Sequence, residues 1–344
     1  MVPFLLHDTA KKARFAASFL LRRLVHVNLQ LLYACNFHCR ICDFWRPEYR
    51  GRPRLSAAEV GVISDKLATI GPQIVSIGGG EPLLHPELEA VVAALARHHF
   101  PVMISNGSLI TPANARALFA AGMVEISVSI DYADPARHDA QRGTPGAFDK
   151  AMAALEALQA SRTHPEQRVN MISVIMEDNL DEAEPLIRLC ERLGITYLVT
   201  LYSDSRGAKQ SRAIPSDVSR RLLELKRRHR HFVALRGYIG RFSQAVRDGG
   251  VGRCEAGRML CNVDSQGDVS TCIDRLDRPV GNLLEDDMPG IAARLAARHA
   301  ENDCRACWTS CRGSIESVRS GDDRALNALD YYEMTRPVPL RAAF

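Results

Sequence analysis

Six short apolar runs, each followed by a longer stretch with helical spacing, fill residues 27–201 and constrain the fold more than any other feature. The runs are 27–34, 73–78, 101–105, 124–130, 169–176 and 195–201. Between them, 56–70, 84–99, 112–122, 147–161 and 180–194 carry apolar residues three and four apart, and several open on Ser, Pro or Asp and close on Gly, as helix ends do. Strands alternating with helices build a parallel sheet, either open and doubly wound or part of a barrel. Both place functional residues at the carboxyl ends of the strands.

Four successive strand ends carry polar or glycine-rich motifs: YACNFHCRIC (33–42), GGGEP (78–82), SNG (105–107) and SID (129–131). The first packs Cys35, Cys39 and Cys42 into eight residues and offers no fourth thiol nearby. A cubane cluster on three thiolates leaves one iron without a protein ligand. The alternative is a zinc site completed by His38, although zinc knuckles favour paired CxxC spacing.

After residue 201 the pattern changes. A loop is expected over 203–215, and the basic stretch 219–241 reads as a solvated helix face more readily than as a phosphate or nucleic-acid contact. The net charge of +4 gives nucleic-acid binding no further support. Cysteines return at 254, 261, 272, 304, 307 and 311, with CNVD, SQGD and VSTC reading as a hairpin. The ten cysteines fall in two groups separated by a long interval that holds only Cys190, a layout suited to metal sites in a reducing cytoplasm. The expected organisation is an amphipathic helix at 1–26, a core at 27–215, a helical linker at 216–250, a cysteine-rich module at 251–315 and a tail at 316–344. The segment KKARFAASFLLRRLV (11–25) lacks a following cleavage site and is too short to span a bilayer. It reads as a packing helix, with peripheral contact to a membrane or lipid-like substrate as the alternative.

The CxxxCxxC loop together with the other strand-end motifs resembles the radical S-adenosylmethionine superfamily over residues 27–201. The resemblance implies a partial (β/α)6 barrel of the TIM type. It implies a [4Fe-4S] cluster on Cys35, Cys39 and Cys42 whose open iron binds S-adenosylmethionine, and one-electron cleavage to a 5′-deoxyadenosyl radical that abstracts a substrate hydrogen. Gly79, Gly80 and Glu81 correspond to the turn that receives the methionine amino group, the glycines letting backbone approach the ligand. Ser105, Asn106 and Ser129 stand where relatives contact ribose or carboxylate. Arg142 is a carboxylate partner or a structural ion pair. Ile41 replaces the aromatic residue that many relatives place beside the adenine. Asp131 is the acid best placed to take a proton from substrate, or else it holds the turn in SIDYADP.

The C-terminal cysteines resemble a SPASM or Twitch extension, a small β-hairpin and helix domain. Cys254, Cys272, Cys304 and Cys307 make one auxiliary [4Fe-4S] site, with Cys261 or Cys311 as alternative ligands; a zinc ribbon is the competing reading. The resemblance to a Twitch-bearing dehydrogenase of aminocyclitol synthesis favours oxidation of a small molecule, and that to peptide-modifying and sulfatase-maturing enzymes favours a peptide. Both imply a flavodoxin or ferredoxin as electron donor. An RNA-modifying enzyme and a non-catalytic iron-sulfur protein are the remaining classes. Intact GGGEP, SNG and SID motifs argue against the last, since a mere cluster carrier has no use for them.

Overall fold

The computed structural model describes residues 2–49, 51–204, 212–319, 324–336 and 338. The loop expected at 203–215 and the tail therefore lie partly outside the described residues.

The six apolar runs form β1 (His26–Leu32), β2 (Ile74–Gly79), β3 (Phe100–Ser105), β4 (Glu125–Ser129), β5 (Arg168–Ile175) and β6 (Thr196–Leu201), each parallel to the next. Before them stands α1 (Val2–Leu20). The crossovers hold α2 (Ala57–Ala68), α3 (Leu88–Ala96), α4 (Pro112–Ala120), α5 (Pro135–Arg142), α6 (Ala147–Ser161) and α7 (Ala183–Leu193). The caps follow the local sequence: Ser56 and Thr111 close capping boxes, and Gly194 ends α7 in the left-handed region.

Alternation along the strands separates two faces. Val75, Ile77, Met103, Tyr197 and Val199 are buried against the helices. Ser76, Gly78, Val102, Leu198 and Thr200 face the other way and keep some exposure, and Ile104 beside them is 41% exposed. A parallel sheet covered on both faces would bury both sets. The concave face is therefore an open chamber, and the sheet is an open partial barrel.

The C-terminal hairpin joins this sheet instead of forming a layer of its own. β7 (Leu260–Val263) lies parallel to β1, and β8 (Asp268–Ser270) and β9 (Gly281–Asn282) continue antiparallel, so the order is β6-β5-β4-β3-β2-β1-β7-β8-β9. Around it are α8 (Val218–Arg228), α9 (Arg236–Ile239), α10 (Phe242–Asp248), α11 (Met288–Ala300), α12 (Ser310–Arg319) and α13 (Arg324–Thr335).

The basic stretch is not one helix. Between α8 and α9 the chain runs beside β6, where Tyr197 N donates to His231 O at 2.7 Å and Val233 N to Tyr197 O at 3.0 Å. Several of its cations are matched by acids: Arg221 by Asp181, Arg228 by Glu184 and Lys226 by Asp330. Helix α1 packs on the barrel through Phe15, edge-on to Phe100, while Leu20 and Leu21 are exposed. Among the described residues no helix is long and apolar enough to cross a membrane.

Candidate active site

The cysteine loop begins where β1 ends. Cys39 is buried and Cys35 and Cys42 half-buried, packed with Phe37, Ile41 and Ala147. Burial pushes the Cys35 thiol up to about 12 and raises that of Cys39 as well. Thiols this reluctant to ionise are inert until a metal takes up their charge. Ile41 lies in this apolar wall.

Gly79 and Gly80 are required where they stand by close backbone packing. A Cβ on Gly79 (φ +113°) would meet Leu32 O at 2.1 Å, and one on Gly80 would meet Ala34 O at 1.9 Å. Gly80 N donates to Leu32 O at 2.8 Å and Glu81 N to Ala34 O at 2.9 Å. These two glycines admit the root of the cysteine loop against their backbone. Only Gly78 faces open space.

Glu81 is buried and ties the end of β2 to the end of β3. Its carboxylate accepts from Ser105 Oγ at 2.8 Å, Asn106 N at 2.8 Å and Leu83 N at 3.2 Å. A carboxylate has about four acceptor sites, so one is left for an ammonium group. Burial raises its pKa above the ordinary carboxylate value, and the three donors oppose the rise. Asn106 Nδ2 also donates to Asn36 Oδ1 at 2.9 Å, and Asn36 Nδ2 to Ser108 Oγ at 2.8 Å. The residues Asn36 and Ser108 were not singled out from sequence; their polarity at a strand end was the available signal. Ser129 is partly exposed at the end of β4.

Asp131 does not line the chamber. It is fully buried, with Oδ1 accepting from Val174 N at 2.9 Å and Oδ2 from Arg142 Nη2 at 2.7 Å. Its carboxylate is an internal ion-pair and hydrogen-bond partner whose contacts lie on β5 and at the end of α5, outside SIDYADP (129–135), so neither the proton-acceptor reading nor the turn-holding one describes them. Arg142, at the end of α5, places Nη1 4.0 Å from Cys39 Sγ. Its Nε is buried with no hydrogen-bond partner. The residue is thus one half of a buried ion pair, with its Nε donor left over.

The second cysteine group gathers around α12. Cys254 N donates to Cys304 O at 3.2 Å, and the two residues pack in one cluster with Cys272 and Ile315. Ionised Cys307 would oppose ionisation of Cys254 and Cys272, and Cys311 acts on Cys307. Arg312 threads between them, with Nη1 donating to Cys307 O at 2.7 Å and Nε to Glu316 at 2.9 Å. Cys261 stands elsewhere. It pairs with Val27 across β7 and β1, lies in the main core and is shifted by burial alone, so it is removed from the ligand alternatives. Among the described residues no three His, Cys, Asp or Glu side chains converge tightly enough to hold a single metal ion.

Comparison with known proteins agrees with this geometry. A family model described as the radical SAM superfamily matches residues 29–190. The mycofactocin maturase MftC of Mycolicibacterium smegmatis is 30% identical over 312 residues, 84% of this chain and 77% of that protein. The AdoMet-dependent heme synthase of Nitratidesulfovibrio vulgaris is 33% identical over 165 residues, 47% of this chain and 43% of that one, so the match spans less than half of that relative. Streptococcus suis SuiB bound to S-adenosylmethionine shares the fold at TM-score 0.65 and 17% identity, covering 89% of this chain and 70% of that chain. Native anSMEcpe with bound AdoMet does so at TM-score 0.63 and 17% identity, covering 90% and 95%.

The fold and the cysteine loop define a class of radical enzymes, and the chain belongs to it: it is a member of the radical SAM superfamily. Its cofactors are therefore a [4Fe-4S] cluster and S-adenosylmethionine. The residues present fit both. Three thiols sit in an apolar enclosure, Gly78 borders open space, Glu81 keeps an acceptor site and Arg142 keeps a buried donor.

Proposed function

We propose that this chain is a peptide-modifying radical SAM enzyme that oxidises its substrate, with the auxiliary cluster in electron transfer. The carrying observation is that similarity to mycofactocin maturase covers 84% of the chain, which takes it past the core and into the cysteine-rich module. The heme-synthase match covers 47%, so a small-molecule substrate has support from less of the chain.

Cys35, Cys39 and Cys42 would hold the cluster, which would supply the electron for reductive cleavage of S-adenosylmethionine and so the means of hydrogen abstraction from the substrate. The chain's own residues bind and orient. Glu81 receives the methionine ammonium at its remaining acceptor site, and Arg142 Nε the carboxylate. Ser105 and Asn106 hold Glu81 in place, Ser129 faces the ribose, and Ile41 covers the adenine with apolar surface. Cys254, Cys272, Cys304 and Cys307 hold the auxiliary cluster, with Cys311 as the competing fourth ligand. A flavodoxin or ferredoxin supplies electrons. Val102, Ile104 and Leu198 give the chamber an apolar lining.

The test is anaerobic turnover of the reconstituted enzyme with S-adenosylmethionine, dithionite and short peptides encoded beside its gene. Formation of 5′-deoxyadenosine and loss of two hydrogens from a peptide are expected. Turnover of a neighbouring pathway's small molecule, with every such peptide returned intact, would sink the peptide assignment.

A further inference from the structure

We propose that Arg142 sets the reduction potential of the cluster on Cys35, Cys39 and Cys42, with Asp131 as the residue that positions it. This rests on the assignment of those three cysteines to the cluster.

Both charges are buried. Arg142 is 7% exposed and Asp131 is fully buried, so solvent does not screen their charges. One guanidinium nitrogen is 2.7 Å from Asp131 and another 4.0 Å from the Cys39 sulfur. Asp131 is fixed in turn by Val174 N, by Asn179 Nδ2 donating to its carbonyl at 3.1 Å, and by its own N–H donating to His138 Nδ1 at 3.3 Å. Arginine and cysteine loop are locked together as well. Arg40 N donates to Gln141 O at 3.0 Å, and Gly143 closes α5 where a Cβ would lie 2.8 Å from His38 O. Holding a guanidinium against a cysteine sulfur thus involves four separate segments of chain.

Reduction of the cluster adds one electron, from a low-potential donor, and moves no proton. The added negative charge is felt strongly in a low-dielectric interior. Hydrogen bonds to the sulfurs and local charge are established determinants of such potentials. The guanidinium favours the reduced state, and Asp131, beyond it, opposes. Since the cation is nearer the sulfur, its sign prevails.

The experiment is spectroelectrochemistry of the reconstituted holoenzyme with dithionite, following the cluster signal that S-adenosylmethionine perturbs. Arg142→Met should move the midpoint to more negative values by a tenfold change in the one-electron equilibrium, about 59 mV. Asp131→Asn, which keeps an acceptor and loses the charge, should move it positive, and Arg142→Lys should stay between Arg142→Met and wild type. Opposite signs are not what a merely structural role gives. Unmoved potentials in Arg142→Met and Asp131→Asn, or shifts of the same sign, overturn the proposal. Should Arg142→Met assemble no cluster, an Asp131→Asn potential equal to wild type overturns it, and a positive shift supports it. A wild-type protein with no nucleotide-responsive cluster overturns the cysteine assignment and the proposal with it, a failure distinct from an unmoved potential.

Discussion

Arg142 Nη2 meets Asp131 Oδ2 at 2.7 Å in a part of the protein where Asp131 is fully buried and Arg142 nearly so. Desolvation of such a pair is costly, and each partner is tolerated only because the other is present. Asp131→Ala should therefore destabilise the chain by about 3–5 kcal/mol, the cost of a guanidinium buried alone. Denaturant unfolding checks this, and Asp131→Asn should lose clearly less.

The seat of the cysteine loop depends on backbone contact at Gly80. A methyl group there would fall 1.9 Å from Ala34 O, inside any van der Waals limit, and backbone has to move. Gly80→Ala should lose the iron of one cubane, about four atoms per chain, while the auxiliary site keeps its own. Iron counting after reconstitution measures it; Gly78→Ala, with open space at its Cβ, is the control and should keep full iron.

His99 makes folding sensitive to acid. Its Nε2 bonds Ser64 O at 2.9 Å and its Nδ1 receives Gln73 N–H at 3.2 Å, so the folded protein holds the neutral tautomer. Burial lowers the ring to about 4 from an ordinary 6.5. The folded state resists protonation that the unfolded state accepts. The stabilisation is thus complete above pH 6.5 and is lost as pH falls towards about 4, amounting to about 3 kcal/mol. Unfolding measured at pH 7 and pH 5 should show this slope in the wild type and a flatter one in His99→Gln.

The auxiliary ligand set is open to direct test. Cys254→Ala and Cys307→Ala should each abolish the auxiliary cluster, again about four irons. Cys261→Ala should keep all the iron and lose only stability, since its side chain fills the sheet-helix core.

Most strands were legible because an apolar run of five to eight residues between helical patterns has few other uses. Helix α5 escaped notice because its sequence, PARHDAQR, carries no apolar stripe. Its boundary signals were nevertheless present: Asp134 caps it, Pro135 opens it and Gly143 closes it with φ +63°. The parallel pairing of β7 with β1 was beyond reach. LCNV is too short to declare a sheet partner, and the pair joins His26 to Leu260.

Within the candidate site, Cys35, Cys39 and Cys42 were readable because a single loop carries them and spacing alone limits what they can hold. The roles of Asp131, Gly79, Gly80 and Cys261 were not. Each depends on a partner supplied by another segment: Arg142 and Val174, the carbonyls of Leu32 and Ala34, the core beside Val27.

The sequence by itself determined the repeating units, their caps and the donor set at the first strand end, because those follow from neighbours a few residues apart. Only the tertiary structure decided that the acid after β4 is a buried partner of a cation at the cysteine loop, and that one C-terminal thiol is packing. Which charges and thiols meet depends on how distant segments are brought together, and local sequence carries no record of that distance.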